Sequence, residues 1–189
     1  MIEPGETWSL WRAAGRPTMK RGYMEAAALR NGRLTWDVGG AICLVSTVVY
    51  NAALLSGATV VERRPHSVDS YGPDRYFELG RDATIEYGYI DLRFRNDGPA
   101  AIRLHVDADD VGVQASMWAT EPVPATWKLE VTLLAAANGE IRVRTDRRLV
   151  RSDGVVLRRE DLGISSYRSA AEGLDGGGPS GGGGRRASG

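Results

Sequence analysis

The 189-residue chain sets 24 Lys and Arg against 24 Asp and Glu, so its formal net charge is zero and no global field favours nucleic acid or an anionic membrane surface. Apolar residues make up 42% and charged residues 25%, a mixture that builds an ordinary globular core rather than a fibrous or disordered chain. The single cysteine, Cys43, excludes an internal disulfide framework and a multi-cysteine metal site.

Along the chain, no basic n-region, apolar h-region and small-residue cleavage site precedes Trp8-Ser9-Leu10-Trp11, so no secretory signal is expected. The longest apolar run, 41–55, is shorter than the roughly 20 residues a bilayer span needs, and no membrane span is expected. Gly39-Gly40 reads as a turn and Gly57 as a helix stop, which predicts a helix over 41–56. Apolar residues surround almost its whole circumference, the pattern of a buried central helix. A short β-branched strand follows at 58–62. Residues 83–95 read as one or two strands kinked at Gly88, with Leu92 and Phe94 alternating with Asp91, Arg93 and Arg95. Strands at 102–106, 111–118, 127–134 and 141–150 continue the style, with Asn138-Gly139 as a hairpin turn. Arg142, Arg144, Arg147, Arg148 and Arg151 are expected to form a solvated face. From Gly163 the periodicity is lost, and 176–184 is nearly all glycine, which predicts a disordered tail over 163–189. The expected fold class is α+β: a buried central helix packed on a mostly antiparallel sheet. It divides into a domain at 1–107, a β extension at 108–162 packed on it, and the glycine-rich tail.

Cys43 falls in the first turn of the predicted helix, where exposed N–H groups and the helix dipole favour an anion. A thiol with a pKa of about 8.5 falls there to roughly 3.5–7.5, and the same N–H groups suit an oxyanion. A lone cysteine in an apolar segment is also a common small core residue. His66, after the strand that the helix feeds, tips the balance. A helix beginning at the nucleophile, a reversal and a strand delivering the base is the papain-like order of cysteine enzymes. His105 lies mid-strand, where a surface or core role is expected. For the group that orients the imidazole, Asp82 and Asp91 stand level, with Asp69 close in sequence. Arg63 and Arg64 add positive charge nearby. Gly39, Gly40, Ser46, Tyr50 and Ser67 are the candidate substrate-binding positions. No cluster has metal-ligand spacing and no phosphate loop appears, so neither metal nor cofactor is expected.

Several segments, in order, resemble the VanW family: Pro4-Gly5-Glu6-Thr7-Trp8-Ser9, Gly22-Tyr23, Asn31-Gly32, Gly39-Gly40-Ala41-Ile42-Cys43, Tyr50-Asn51-Ala52-Ala53-Leu54-Leu55, Val61-Glu62-Arg63, Pro65-His66-Ser67, Asp82-Ala83-Thr84 and Asp91-Leu92-Arg93-Phe94-Arg95-Asn96. The resemblance covers about residues 3–107. It implies a cell-envelope setting and peptidoglycan stem peptides as partners. By it, Cys43 falls on the catalytic cysteine and His66 on the motif histidine of L,D-transpeptidase-like members. The chain departs from the family pattern at Ala41, where a third glycine is usual, and at Leu44, where Gln is common. The function implied is a cysteine acyltransferase that passes peptide stems through a Cys43 thioester. The alternative is a non-catalytic accessory or peptidoglycan-binding protein linked to glycopeptide resistance.

Overall fold

In chain order the computed structural model forms β1 (Thr7–Ser9), α1 (Leu10–Ala14), a 3-10 turn (Met19–Arg21), β2 (Glu25–Arg30), β3 (Arg33–Val38) and the long helix α2 (Ile42–Ser56). There follow β4 (Thr59–Glu62), β5 (Val68–Asp69), β6 (Arg93–Arg95), β7 (Ile102–Ala108), β8 (Val113–Ala119), β9 (Ala125–Ala137), β10 (Glu140–Arg151) and β11 (Val156–Ser169). The structure describes residues 1–30, 33–69, 72, 75–109, 111–122 and 124–169. Among them no helix is long and apolar enough to cross a membrane.

Helix α2 lies at the centre because nearly every face of it is apolar. Every residue from Ser46 to Leu54 is buried, and the helix packs against β4, β8 and β9. Val48, Val49, Tyr50, Ala53 and Leu54 share one core cluster with Ile2, Leu10, Ala83, Ile85, Leu92 and Phe94. Burying side chains of this size contributes about 1.5–3 kcal/mol each. The helix stops where expected. Gly57 adopts φ +84° and donates its N–H to the Ala53 and Leu54 carbonyls, a left-handed cap that favours glycine. A Cβ there would also collide with Trp127 Nε1.

Three strands in the order β1-β6-β4 form an antiparallel sheet, and β5-β11-β10-β9 form a second, in which only the β5–β11 pairing is parallel. β2–β3 and β7–β8 are separate hairpins. The α+β class and the predominance of antiparallel pairing agree with the reading of the sequence. Asn138 and Gly139, at φ +53° and +71°, make the expected turn between β9 and β10.

Three expectations change. Within 83–95 only Arg93–Arg95 is strand; Thr84 and Glu86 make single bridges to Arg64 and Ile90, and the chain turns at Gly88, φ +85°. Leu92 and Phe94 do alternate inward, both fully buried, but the tyrosines on either side of Gly88 turn the chain back on itself. β11 runs through Gly163 to Ser169, into the stretch expected to be tail, because Ser165 and Tyr167 point inward with period two and Tyr167 pairs with Ile141. The glycine-rich run at 176–184 lies outside the described residues.

The third change is Arg147, which is only 2% exposed. Its Nη1 donates to the Leu54 and Ala58 carbonyls, both at 3.0 Å, and its Nη2 to Gly57 O at 3.4 Å. The guanidinium lies 4.4 Å from the Trp127 ring centroid and pairs with Glu160 at 2.6 Å. A cation from β10 thus satisfies carbonyls at the negative end of α2. Arg147→Ala leaves those carbonyls and Glu160 without their cation, so it lowers the unfolding free energy by about 3–5 kcal/mol in urea titrations. Arg147→Lys, which lacks the planar fork, recovers only part of that loss.

Candidate active site

The site is built on the segment 80–84, which is held between α2 and the second sheet. On the helix side, Thr47 Oγ1 accepts from Ala83 N at 3.1 Å, and Ser46 Oγ donates to the carbonyls of Ala83 and Cys43. Asn51 Nδ2 donates to Arg81 O at 2.7 Å, and its Oδ1 accepts from Arg81 Nε at 2.8 Å. On the sheet side, the Tyr167 hydroxyl accepts from Gly80 N at 2.7 Å and Thr145 Oγ1 donates to Gly80 O at 3.2 Å. Gly80 itself sits at φ +88° with no room for a Cβ against Thr145. So braced, the segment fixes Asp82.

Asp82 gathers donors from three parts of the chain. Its Oδ2 accepts from both the backbone N and Nδ1 of His66, each at 2.7 Å. Its Oδ1 accepts from Arg63 Nη2 at 2.9 Å and from the Tyr167 hydroxyl at 2.5 Å. Arg63 also donates Nε to Asp82 O and Nη1 to Ser165 Oγ, both at 2.7 Å, and lies 5.1 Å from the Tyr50 ring centroid. Burial pushes the Asp82 carboxyl up, but bonding from His66 and Tyr167 and the charge of Arg63 outweigh it and hold the group below its ordinary value.

With Nδ1 committed to Asp82, Nε2 is the His66 atom left for a second partner. The Cys43 thiol, at the second residue of α2 and half-buried, is close enough for the two groups to act on each other's protons. Burial alone would lower the imidazole pKa. Hydrogen bonds and charge from Asp82 and Cys43 instead raise it to about 9. Burial likewise pushes the thiol up, and hydrogen bonds with His66, Ile85 and Thr84, with the imidazolium charge, bring it below its ordinary value. The sulfur lies 3.7 Å from Thr84 Oγ1 and 3.8 Å from Ile85 O. The shifts run one way: the imidazole holds its proton, the carboxylate stays anionic and the thiol is drawn toward its thiolate.

The structure therefore brings Cys43, His66 and Asp82 together and places Asp91 elsewhere. The Asp91 carboxylate accepts from Ser9 Oγ at 2.5 Å and Trp11 N at 3.2 Å, at the start of α1. Asp69 pairs with Arg75. His105 is on exposed β7, stacked with Trp118. Of the candidate binding positions, Ser46 and Tyr50 are buried, Ser46 as a brace for Ala83 and Tyr50 beneath Arg63. Gly39 and Gly40 shape the entry to α2, their amides donating to Met24 O and Asp37 O, and the exposed Ser67 accepts from Arg168 N through its carbonyl. Of the N–H groups at the start of α2, expected to suit an oxyanion, those of Ile42 and Leu44 are committed to Gly39 O and Ala41 O at 3.0 Å. Reading the sequence missed Tyr167 and Ser165, whose signal was the alternation of 165 and 167 within the apparent tail.

Two grooves flank the core, one of about 700 Å³ between β4 and β11, the other of about 620 Å³ beside Trp11 and Tyr89. Neither is lined by Cys43 or His66. Among the described residues no group of three His, Cys, Asp or Glu is placed to hold a metal ion.

A family described as VanW like protein matches residues 1–118. The chain is 32% identical over 143 residues to Vancomycin B-type resistance protein VanW of Enterococcus faecalis, covering 75% of this chain and 50% of that protein. It is 36% identical over 96 residues to the uncharacterized protein YoaR of Bacillus subtilis, covering 51% of this chain and 30% of that protein. The chain thus spans half or less of the length of these relatives. No solved structure matches it.

The geometry makes His66 the reporter of the site. In the unaltered protein its imidazole titrates near about 9, and Asp82→Asn removes the carboxylate that holds the proton. The His66 pKa, followed by NMR of the ring protons, then falls toward the ordinary value of about 6.5.

Proposed function

We propose, for a chain that belongs to the VanW family, a cysteine acyltransferase that acts on the peptide stems of peptidoglycan in the manner of an L,D-transpeptidase. The observation that carries the reading is the His66 Nδ1–Asp82 hydrogen bond at 2.7 Å, with an imidazole placed to draw the Cys43 thiol below its ordinary value. Helix α2, strand β4 and His66 follow one another along the chain, an order compatible with this assignment of roles.

Cys43 Sγ attacks the carbonyl carbon preceding the terminal D-residue of a stem. The amide of Cys43, in the first turn of α2, is the oxyanion donor this reading uses in place of the Ile42 and Leu44 amides. As the tetrahedral adduct collapses, the C–N bond breaks and His66 Nε2 gives its proton to the leaving amine. D-alanine departs and a thioester remains on Cys43. An amine from a neighbouring stem then attacks the thioester, its proton passes to His66, and the thiolate leaves as the new amide forms. With water as acceptor the same site is a carboxypeptidase.

A second reading, a non-catalytic accessory module that binds a stem peptide, is favoured by the placement of both grooves away from Cys43 and His66. It is also compatible with the resistance named for the Enterococcus relative.

Release of D-alanine from tetrapeptide muropeptides separates the two. Cys43→Ala abolishes release while leaving the melting temperature unchanged, and His66→Gln lowers the rate about 10²–10⁴-fold. The wild-type rate rises with pH as the thiolate–imidazolium pair forms. It falls again as pH passes about 9, where His66 loses the proton owed to the leaving amine. Folded wild-type protein that releases no D-alanine at any pH supports the accessory module.

A further inference from the structure

We infer that the groove beside the Tyr87–Tyr89 turn is a saccharide site that takes a neutral pyranose oligosaccharide. The Glu86–Ile90 bridge and Gly88 fold this segment into a tight turn. Its two tyrosines stand out into solvent, Tyr87 44% and Tyr89 84% exposed. Trp11 walls the same groove and is fixed in place: Nε1 donates to Ile90 O at 2.8 Å, and the Tyr87 ring meets it edge-on with centroids 5.3 Å apart. Exposed aromatic surface gathered in a concavity beside convergent polar groups is the composition of a small-ligand site. At about 620 Å³ the groove is within the common size range of about 300–1,000 Å³.

The polar lining selects the ligand. Glu62 and Asp91 stand against Arg12 and Arg93, two charges of each sign, so the groove has no net attraction for a phosphate or another polyanion. Equally, four charged side chains do not suit a purely apolar ligand. A pyranose ring presents a face of C–H bonds, which lies on an aromatic ring, and a rim of hydroxyls, which bond to planar carboxylates and guanidinium groups. The groove offers both kinds of surface and a balanced charge.

One short segment of chain connects it with the thiol, although the groove does not reach Cys43. The Ile85 carbonyl lies 3.8 Å from Cys43 Sγ, and Tyr87 follows two residues later, at most about 7 Å of chain. Naming the sugar as the glycan strand of peptidoglycan rests on the proposed reaction; the saccharide groove does not.

Titration of the full chain with chitotetraose, a soluble β-linked N-acetylglucosamine tetramer without peptide, tests the site by intrinsic fluorescence and NMR. Wild type and Cys43→Ala bind alike. Tyr89→Ala weakens binding about tenfold, the scale of one aromatic stacking contact, and Tyr89→Phe restores it. Tyr89 is too exposed for its loss to unfold the chain. No response at millimolar chitotetraose, or a response that Tyr89→Ala leaves unchanged, overturns the inference whether or not D-alanine is released. Sugar binding by a wild-type protein that releases no D-alanine overturns the reaction and leaves the groove standing.

Discussion

A carboxylate as enclosed as Asp82 must be hydrogen-bonded or give up its charge, and the rest of the site is arranged around that requirement. Its donors come from Arg63 after β4, from His66 beyond it and from Tyr167 on β11. Charge alternates along the network: Arg63 is positive, Asp82 negative and His66 positive, and the Cys43 thiol beyond them is drawn toward its anion. Each charge makes the next one cheaper to bury. Replacing Arg63, Asp82 or His66 with a neutral group therefore strands its neighbours, so these three behave as a unit rather than as separate contacts.

Helix α2 couples this network to the fold. Its first turn carries Cys43, its middle braces 81–83 through Ser46, Thr47 and Asn51, and its last carbonyls receive Arg147 from β10. The polar residues that interrupt the apolar run are therefore not a weakness in it. They satisfy backbone groups of a non-regular segment that would otherwise be buried without partners. The second sheet completes the arrangement from the other side, since Thr145 and Tyr167 hold Gly80. Strands that lie beyond the family match at 1–118 thus contribute directly to the position of Asp82.

Much of this was legible in the sequence where the signal is local. Gly57 marked the helix end because a left-handed cap needs glycine, and Asn138-Gly139 marked a hairpin for a similar reason. Cys43 and His66 were legible as a pair because one helix and one short strand fix their separation. Asp82 and Asp91 could not be ranked, as each precedes an inward-facing alternation. Only the pairing of Asp91 with Ser9, 82 residues away, separates them. Tyr167 was hidden for the same reason: its contact with Asp82 spans 85 residues, and the glycines after it disguised the end of β11. The burial of Arg147 depends on where a helix end lies in space, which spacing along a strand does not encode.

The state of the Cys43 sulfur is the most direct measure of the network, because His66, which Asp82 holds, acts on that atom. The rate of carboxamidomethylation of this lone thiol, followed by mass spectrometry against pH, reads the thiolate fraction. A network of this kind gives the unaltered protein a faster rate than an ordinary cysteine at the same pH, and the rate drops when Asp82 is replaced by Asn. A rate that instead rises through about 8.5, as for an ordinary cysteine, and is indifferent to Asp82 would mean that the three groups stand together without acting together.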